Sequence, residues 1–205
     1  MGGGEVGARK AEGLIVCGAR VAVLSRVLAP SLEKMKQEGR IDHVETDYEA
    51  SYLSGAFMVI GATDSAEVNK KIAADARALG IMVNVADDPL RCDFILPAVV
   101  RQGDLLIAVS TGGKSPALAK KLRAELDASF GQEYATLLDI MGKMREERMA
   151  RGCPAEENKR IFTALVNSDI LYHIRAGNPD GVSDCLRDVV AMEMELTGFE
   201  KIGKG

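Results

Sequence analysis

Apolar and polar positions run along this chain in two rhythms, and the change between them divides it. Up to residue 92, short apolar runs rich in β-branched residues are separated by stretches with helical spacing. The runs at 21–24, 41–45, 57–61 and 81–85 read as strands. Residues 32–38 follow Pro30 and Ser31 and end at Gly39, and residues 66–79 put Val68, Ile72, Ala76 and Leu79 on one helical face before Gly80. Residues 5–16, closed by Gly18, form a helix-compatible stretch ahead of the first of these strands. Strands alternating with helices predict right-handed βαβ units and a parallel sheet, an α/β fold of Rossmann type.

From residue 93 the rhythm changes. Two apolar runs, 94–100 and 105–110, flank the polar turn Arg101-Gln102-Gly103-Asp104, the pattern of a strand pair. A helix is expected from Ser115 to about Ser129, with Pro116 just inside its start. Beyond Gly131 only helical patterns remain, at 133–151, 155–176 and 179–196. The expected organisation is a nucleotide-binding domain over 1–92, a strand–strand–helix segment over 93–131 and a small all-helical domain over 132–205. The two strands of the middle segment are apolar for most of their length and call for a covering surface, for which a second copy of the chain is the simplest candidate.

The start adds chemistry. Gly2, Gly4 and Gly7 have the spacing G-x-G-x-x-G and open the helix over 5–16, so that backbone N–H groups and the positive helix end could meet a pyrophosphate. The buried strand that normally precedes this motif is missing, which reads as a truncated start. A parallel sheet without it is expected to expose two edges. Where many NAD sites carry an acid after the second strand, this chain has Ser25 and Arg26. That leaves NADP open, and Arg26 is equally well read as a solvated surface side chain.

Further candidates lie at strand ends. The run at 81–85 ends in Asp87 and Asp88, either an ordinary Asp-Asp-Pro turn or a carboxylate able to take a proton as hydride leaves a substrate. Ser110-Thr111-Gly112-Gly113-Lys114-Ser115 fails the P-loop template, since Ala108 stands where its first glycine belongs. It could hold a carboxylate or phosphate, or simply cap a helix through Ser115. His173 lies in an apolar helical segment and reads as a packed or surface residue. Met141, Met144 and Met149 read as packing between helices.

Composition narrows the partners. An aromatic share of 4% without Trp argues against stacking platforms for nucleic acid, and a net charge of -4 argues against a general polyanion binder. Cys17, Cys92, Cys153 and Cys185 are widely spaced and read as reduced packing residues, with no metal site. Without a signal peptide or long apolar span, the chain is expected to be cytoplasmic and free of the membrane.

Four marks then carry a resemblance: GGGEVGARK at 2–10, GATDSAEVNKKI at 61–72, NVADDP at 84–89 and CDFILPAVVRQGDLLIAVSTGGKSPALAKKLR at 92–123. In this order they resemble the precorrin-2 dehydrogenase family, the amino-terminal part of siroheme synthase, some members of which are also sirohydrochlorin ferrochelatases. The resemblance implies NAD-dependent oxidation of precorrin-2 to sirohydrochlorin by a homodimer. It makes Asp87 the candidate catalytic carboxylate, beside a cleft shared with the glycine loop. It gives NAD contacts to Glu5, Val6, Arg26, Val27 and Thr63. Thr111 becomes a secondary substrate-cleft candidate, and Lys114, with Lys120 and Arg123, a charge that steers a substrate rich in carboxylates. The rival reading is a non-catalytic NAD-sensing module that regulates a partner through its helical tail.

Overall fold

The computed structural model describes the backbone of residues 1–202 and the side chains of residues 1–189 and 191. It divides into two compact units, residues 1–96 and the remainder from Pro97.

In the first unit α1 (Glu5–Val16) precedes β1 (Ala22–Leu24), α2 (Pro30–Gln37), β2 (Asp42–Val44), β3 (Met58–Gly61), α3 (Ala66–Ala78) and β4 (Met82–Val85). β1 pairs in parallel with β2, and β3 with β4. The two pairs are joined by the first residues of the chain. The Met1 amino group donates to the Ile60 carbonyl (2.9 Å), and the Met1 carbonyl accepts from Ala62 N–H (2.9 Å). Gly2 N–H donates to the Leu24 carbonyl at 3.0 Å. The order is therefore β2-β1, then Met1–Gly2, then β3-β4. The expected pair of bare inner edges is corrected: Met1 and Gly2 bond to both sides over that short length.

Packing follows the apolar spacing. Ala8 and Ala11 of α1 meet Leu32 and Met35 of α2 over Val23. Ile72, Ala73 and Ala76 of α3 meet Val59, Val83 and Val85. α3 starts where the Ser65 hydroxyl accepts from Val68 N–H (3.3 Å) and stops at Gly80, whose φ of +69° suits glycine.

In the second unit β5 (Ala98–Gln102) and β6 (Leu105–Val109) form an antiparallel hairpin. It turns through Gly103 at φ +57°, where a Cβ would stand 2.8 Å from Ala135 Cβ. β5 starts later than the apolar run suggests, because Pro97 has no N–H for the ladder. α4 (Pro116–Ser129) and α5 (Gln132–Ala150) follow. The helix expected over 155–176 is two, α6 (Ala155–Val166) and α7 (Ile170–Arg175). The Ser168 hydroxyl donates to the Leu165 carbonyl and accepts from Ile170 N–H, and these local bonds compete with the helix ladder. α8 (Pro179–Ile202) closes the described chain.

Met141 and Met144 pack into this helical core beside Leu165 and Ile170, but Met149 is exposed, which corrects the expectation for that residue. Among the cysteines, all free, Cys17 is exposed and so is not a packing residue. No described helix is long and apolar enough to cross a membrane.

Candidate functional site

The glycine loop works through three different contacts. Gly2 has φ +101°, and a Cβ there would fall 2.3 Å from the Ala62 carbonyl oxygen. Gly7 lies on α1, where a Cβ would fall 2.5 Å from the Gly2 oxygen, so only glycine lets the helix sit this close to the loop. Gly4 is different, because nothing lies within 4 Å of where its Cβ would be. It is the N-cap of α1 and makes no side-chain cap bond. The first helical N–H groups therefore face open space at the positive end of a helix, the arrangement that receives a phosphate. The Glu5 carboxylate does not compete for them, since it accepts from the Ser31 hydroxyl at 3.2 and 3.3 Å. Gly3, which the motif spacing treats as variable, is as constrained as its neighbours: a Cβ would meet the Val27 carbonyl oxygen at 2.0 Å.

This loop opens onto a cleft of about 1070 Å³, at the upper end of what small-molecule sites occupy. Gly2, Gly4, Glu5, Val6, Arg26, Val27 and Thr63 all line it. Gly7 supports the loop from behind and is not in the lining. The cleft runs along the carboxyl ends of the strands, where ligands bind in open α/β sheets. Thr63 is fixed by Asn69, a buried residue of α3 whose Oδ1 accepts from the Thr63 hydroxyl (2.8 Å) and N–H (3.2 Å). Its amide nitrogen donates to the Thr63 carbonyl at 3.0 Å.

Sequence reasoning missed Asn69 and the loop after β2, where Thr46, Asp47 and Tyr48 line the cleft. The signal for the loop was a short strand ending in polar residues, the rule applied to Asp87 and not applied there. Tyr48 donates to the Asp75 carboxylate (2.9 Å) and stacks under Lys71, whose Nζ is 5.7 Å from the ring centre. Burial first, then that carboxylate, raises the phenol well above its ordinary pKa.

Asp87 stands on the turn after β4. It is exposed and is not among the residues lining the cleft, which corrects the expectation that its carboxyl shares the cavity with the glycine loop. The cause is local: Asp87 has φ +61°, alone among the described non-glycine residues in being positive, so the chain turns away directly after the strand. The turn is pinned by Cys92. Val85 N–H points at its sulfur (3.2 Å), and the thiol faces the carbonyls of Val85 (3.2 Å) and Asp88 (3.3 Å). Asp88 is paired with Arg91.

Thr111 and Lys114 belong to the second unit. The Thr111 hydroxyl donates to the Ser115 carbonyl and accepts from Ser115 N–H, both at 3.1 Å. Ser115 caps α4 by accepting from Leu118 N–H at 3.2 Å. Lys114 is exposed. His173 is half-buried, with its Nδ1 3.2 Å from the Asn178 amide nitrogen.

Comparison with known proteins fits this geometry. Residues 1–98 match a family model described as "Putative NAD(P)-binding", and residues 102–129 match the central region of a sirohaem biosynthesis protein. Siroheme synthase 1 of Aeromonas salmonicida (strain A449) is 35% identical over 193 residues, 94% of this chain and 41% of that protein. The chain belongs to the siroheme synthase family. The siroheme synthase of Methylobacillus flagellatus is 35% identical over 196 residues, 96% of this chain and 42% of its own. The chain thus spans about two fifths of the length of these siroheme synthases. A solved structure titled SirC, precorrin-2 dehydrogenase, has the same fold, with a TM-score of 0.74 at 19% identity over 93% of this chain and 92% of that one.

Proposed function

We propose that this protein is an NAD-dependent precorrin-2 dehydrogenase of siroheme biosynthesis, acting in the cytoplasm as a homodimer. The observation that carries the reading is the open space at Gly4, on a helix end whose N–H groups face a cleft of about 1070 Å³. That cradle suits a pyrophosphate, and family membership supplies the substrate class. Gly2, Gly4, Glu5 and Val6 would hold the diphosphate, Arg26 and Val27 the ribose end, and Thr63, clasped by Asn69, the far wall. Gly7 keeps α1 close enough for this. NAD, when bound, supplies the hydride acceptor.

The oxidation removes a hydride and a proton from precorrin-2 and leaves sirohydrochlorin. Asp87 is assigned the proton. A tetrapyrrole with many carboxylates is too large to enter a dinucleotide cleft whole, so a carboxylate held on the open side of the strand ends, by a turn that Cys92 ties, suits the task. Thr111 and Lys114 are assigned to the substrate's own carboxylates, Lys114 by charge. The homodimer rests on α4, which has no buried residue, and on exposed Val99, Leu106 and Leu118.

The test is incubation of the purified chain with precorrin-2 and NAD⁺ while the sirohydrochlorin absorbance is followed. Wild type is expected to form product, and Asp87→Ala to lose at least 100-fold in rate, at the low end for a proton-transfer group. NAD⁺ binding without product in wild type would favour the sensing module. Full activity in Asp87→Ala would remove that residue from the chemistry. Ferrous or cobalt ion added to the same assay reads out chelation.

A further inference from the structure

One end of the cleft carries a charge arrangement that decides which dinucleotide fits; the argument rests on the dinucleotide reading above. In this fold the residues just past the second strand meet the adenosine ribose: an acid there binds the hydroxyls, and an arginine accommodates a 2′-phosphate. Here those residues are Ser25 and Arg26, which taken alone favour the phosphate. The structure removes both from that task. The Ser25 hydroxyl donates to the Val27 carbonyl at 2.7 Å. The Arg26 guanidinium is paired with the Asp47 carboxylate, which comes from the loop after β2. Arg26 and Asp47 both line the cleft.

We infer that Asp47 is the specificity-determining residue that makes this cleft select a dinucleotide with a free 2′-hydroxyl over a 2′-phosphorylated one. The acid that other sites carry at the end of the second strand is delivered here from the next loop. Its carboxylate accepts hydrogen bonds from ribose hydroxyls, which are donors. A 2′-phosphate is an acceptor carrying negative charge. It would have to take Arg26 from Asp47 and then stand beside the displaced carboxylate. Lys71 is the other cation of this region, but it is held over the Tyr48 ring on the α3 side of the cleft. The Arg26–Asp47 pair is exposed on both sides, with side chains 73% and 68% accessible. It therefore adds little to stability, and variants of it are expected to fold.

The experiment titrates the purified full chain with NADH and NADPH, reading nucleotide fluorescence, and repeats the titration with Asp47→Asn and with Asp47→Asn/Arg26→Ala. Wild type is expected to bind NADH at least 10-fold more tightly than NADPH. Asp47→Asn should shrink that ratio by 10-fold or more, chiefly by tightening NADPH, because Arg26 is released and the repelling charge is gone. The double variant should lose the gain. Equal or tighter binding of NADPH by wild type, or an unchanged ratio in Asp47→Asn, overturns this inference alone. Binding of neither nucleotide overturns the dinucleotide reading and this inference with it.

Discussion

The glycines at the start of the chain are distinguishable one by one, because each would fail differently if given a methyl group. Gly4 has ordinary extended backbone (φ −83°, ψ −178°) and open space where a Cβ would go. Gly4→Ala is therefore expected to keep the fold, at a cost within about 1 kcal/mol at the cap. Its methyl group would occupy the approach to the helix N–H groups, so NAD⁺ affinity should fall 10-fold or more. Gly7→Ala gains helix propensity of about 1 kcal/mol. That gain is smaller than the cost of a carbon placed 2.5 Å from a backbone oxygen, which forces the loop to move. This variant should lose thermal stability even without ligand. Calorimetry with and without NAD⁺ separates the two, and equal melting losses in both would contradict the division of roles. At this scale the sequence was legible where function is local. The spacing of Gly2, Gly4 and Gly7 identified the loop. Asp47 and Asn69 were not legible, because each acts on a partner from another element and their types are common in solvated loops and helices.

Elements are joined in the first unit by a carboxylate that does no chemistry. Asp93 accepts from Val83 N–H of β4 at 3.0 Å and from Arg77 of α3 at 3.1 and 3.2 Å. The Val83 bond first, then Arg77, holds its carboxyl below the ordinary range, against a smaller opposing effect of burial. A carboxylate with a depressed folded pKa contributes stability that is fully present above its unfolded value, about 3.9. That contribution is lost as pH falls through the lower folded value. Urea midpoints of wild type are therefore expected to drop as pH falls from 5 towards 3. Asp93→Asn should start lower at pH 5 and show a shallower drop, because the amide has no proton to take up there. Parallel curves for the two proteins would mean that the tie is not electrostatic. Elements themselves were largely legible: α1, α3 and the four parallel strands follow from apolar spacing and terminal glycines. The misses have local causes. Pro97 delays β5, and Ser168 splits a run that periodicity alone would make one helix.

For the whole molecule, one chain leaves an apolar face of the hairpin uncovered. Val99 and Arg101 of β5 pair with Ala108 and Leu106 of β6, and these four positions are exposed, while Val100 on the opposite face is buried at 2% accessibility. A single pattern thus gives the hairpin two faces, one packed within its own unit and one left apolar. Strand alternation made this legible in the sequence as a need for a covering surface. Which surface covers it was not legible, because a monomeric pattern is the same whether a copy or another protein lies above it. If a second copy does so, wild type should elute at twice the chain mass of 21.9 kDa by light scattering. Leu106, 47% accessible, is the residue to change. Burying a leucine contributes about 1.5–3 kcal/mol, and Leu106→Lys would also place a charge in an apolar contact. The dimer should then weaken by at least 10-fold in Kd. NADH binding should survive, since the cleft is built wholly from residues of the first unit. A wild type that stays at 21.9 kDa across concentrations, or a Leu106→Lys variant that dimerises as well as wild type, would assign this face to some other occupant.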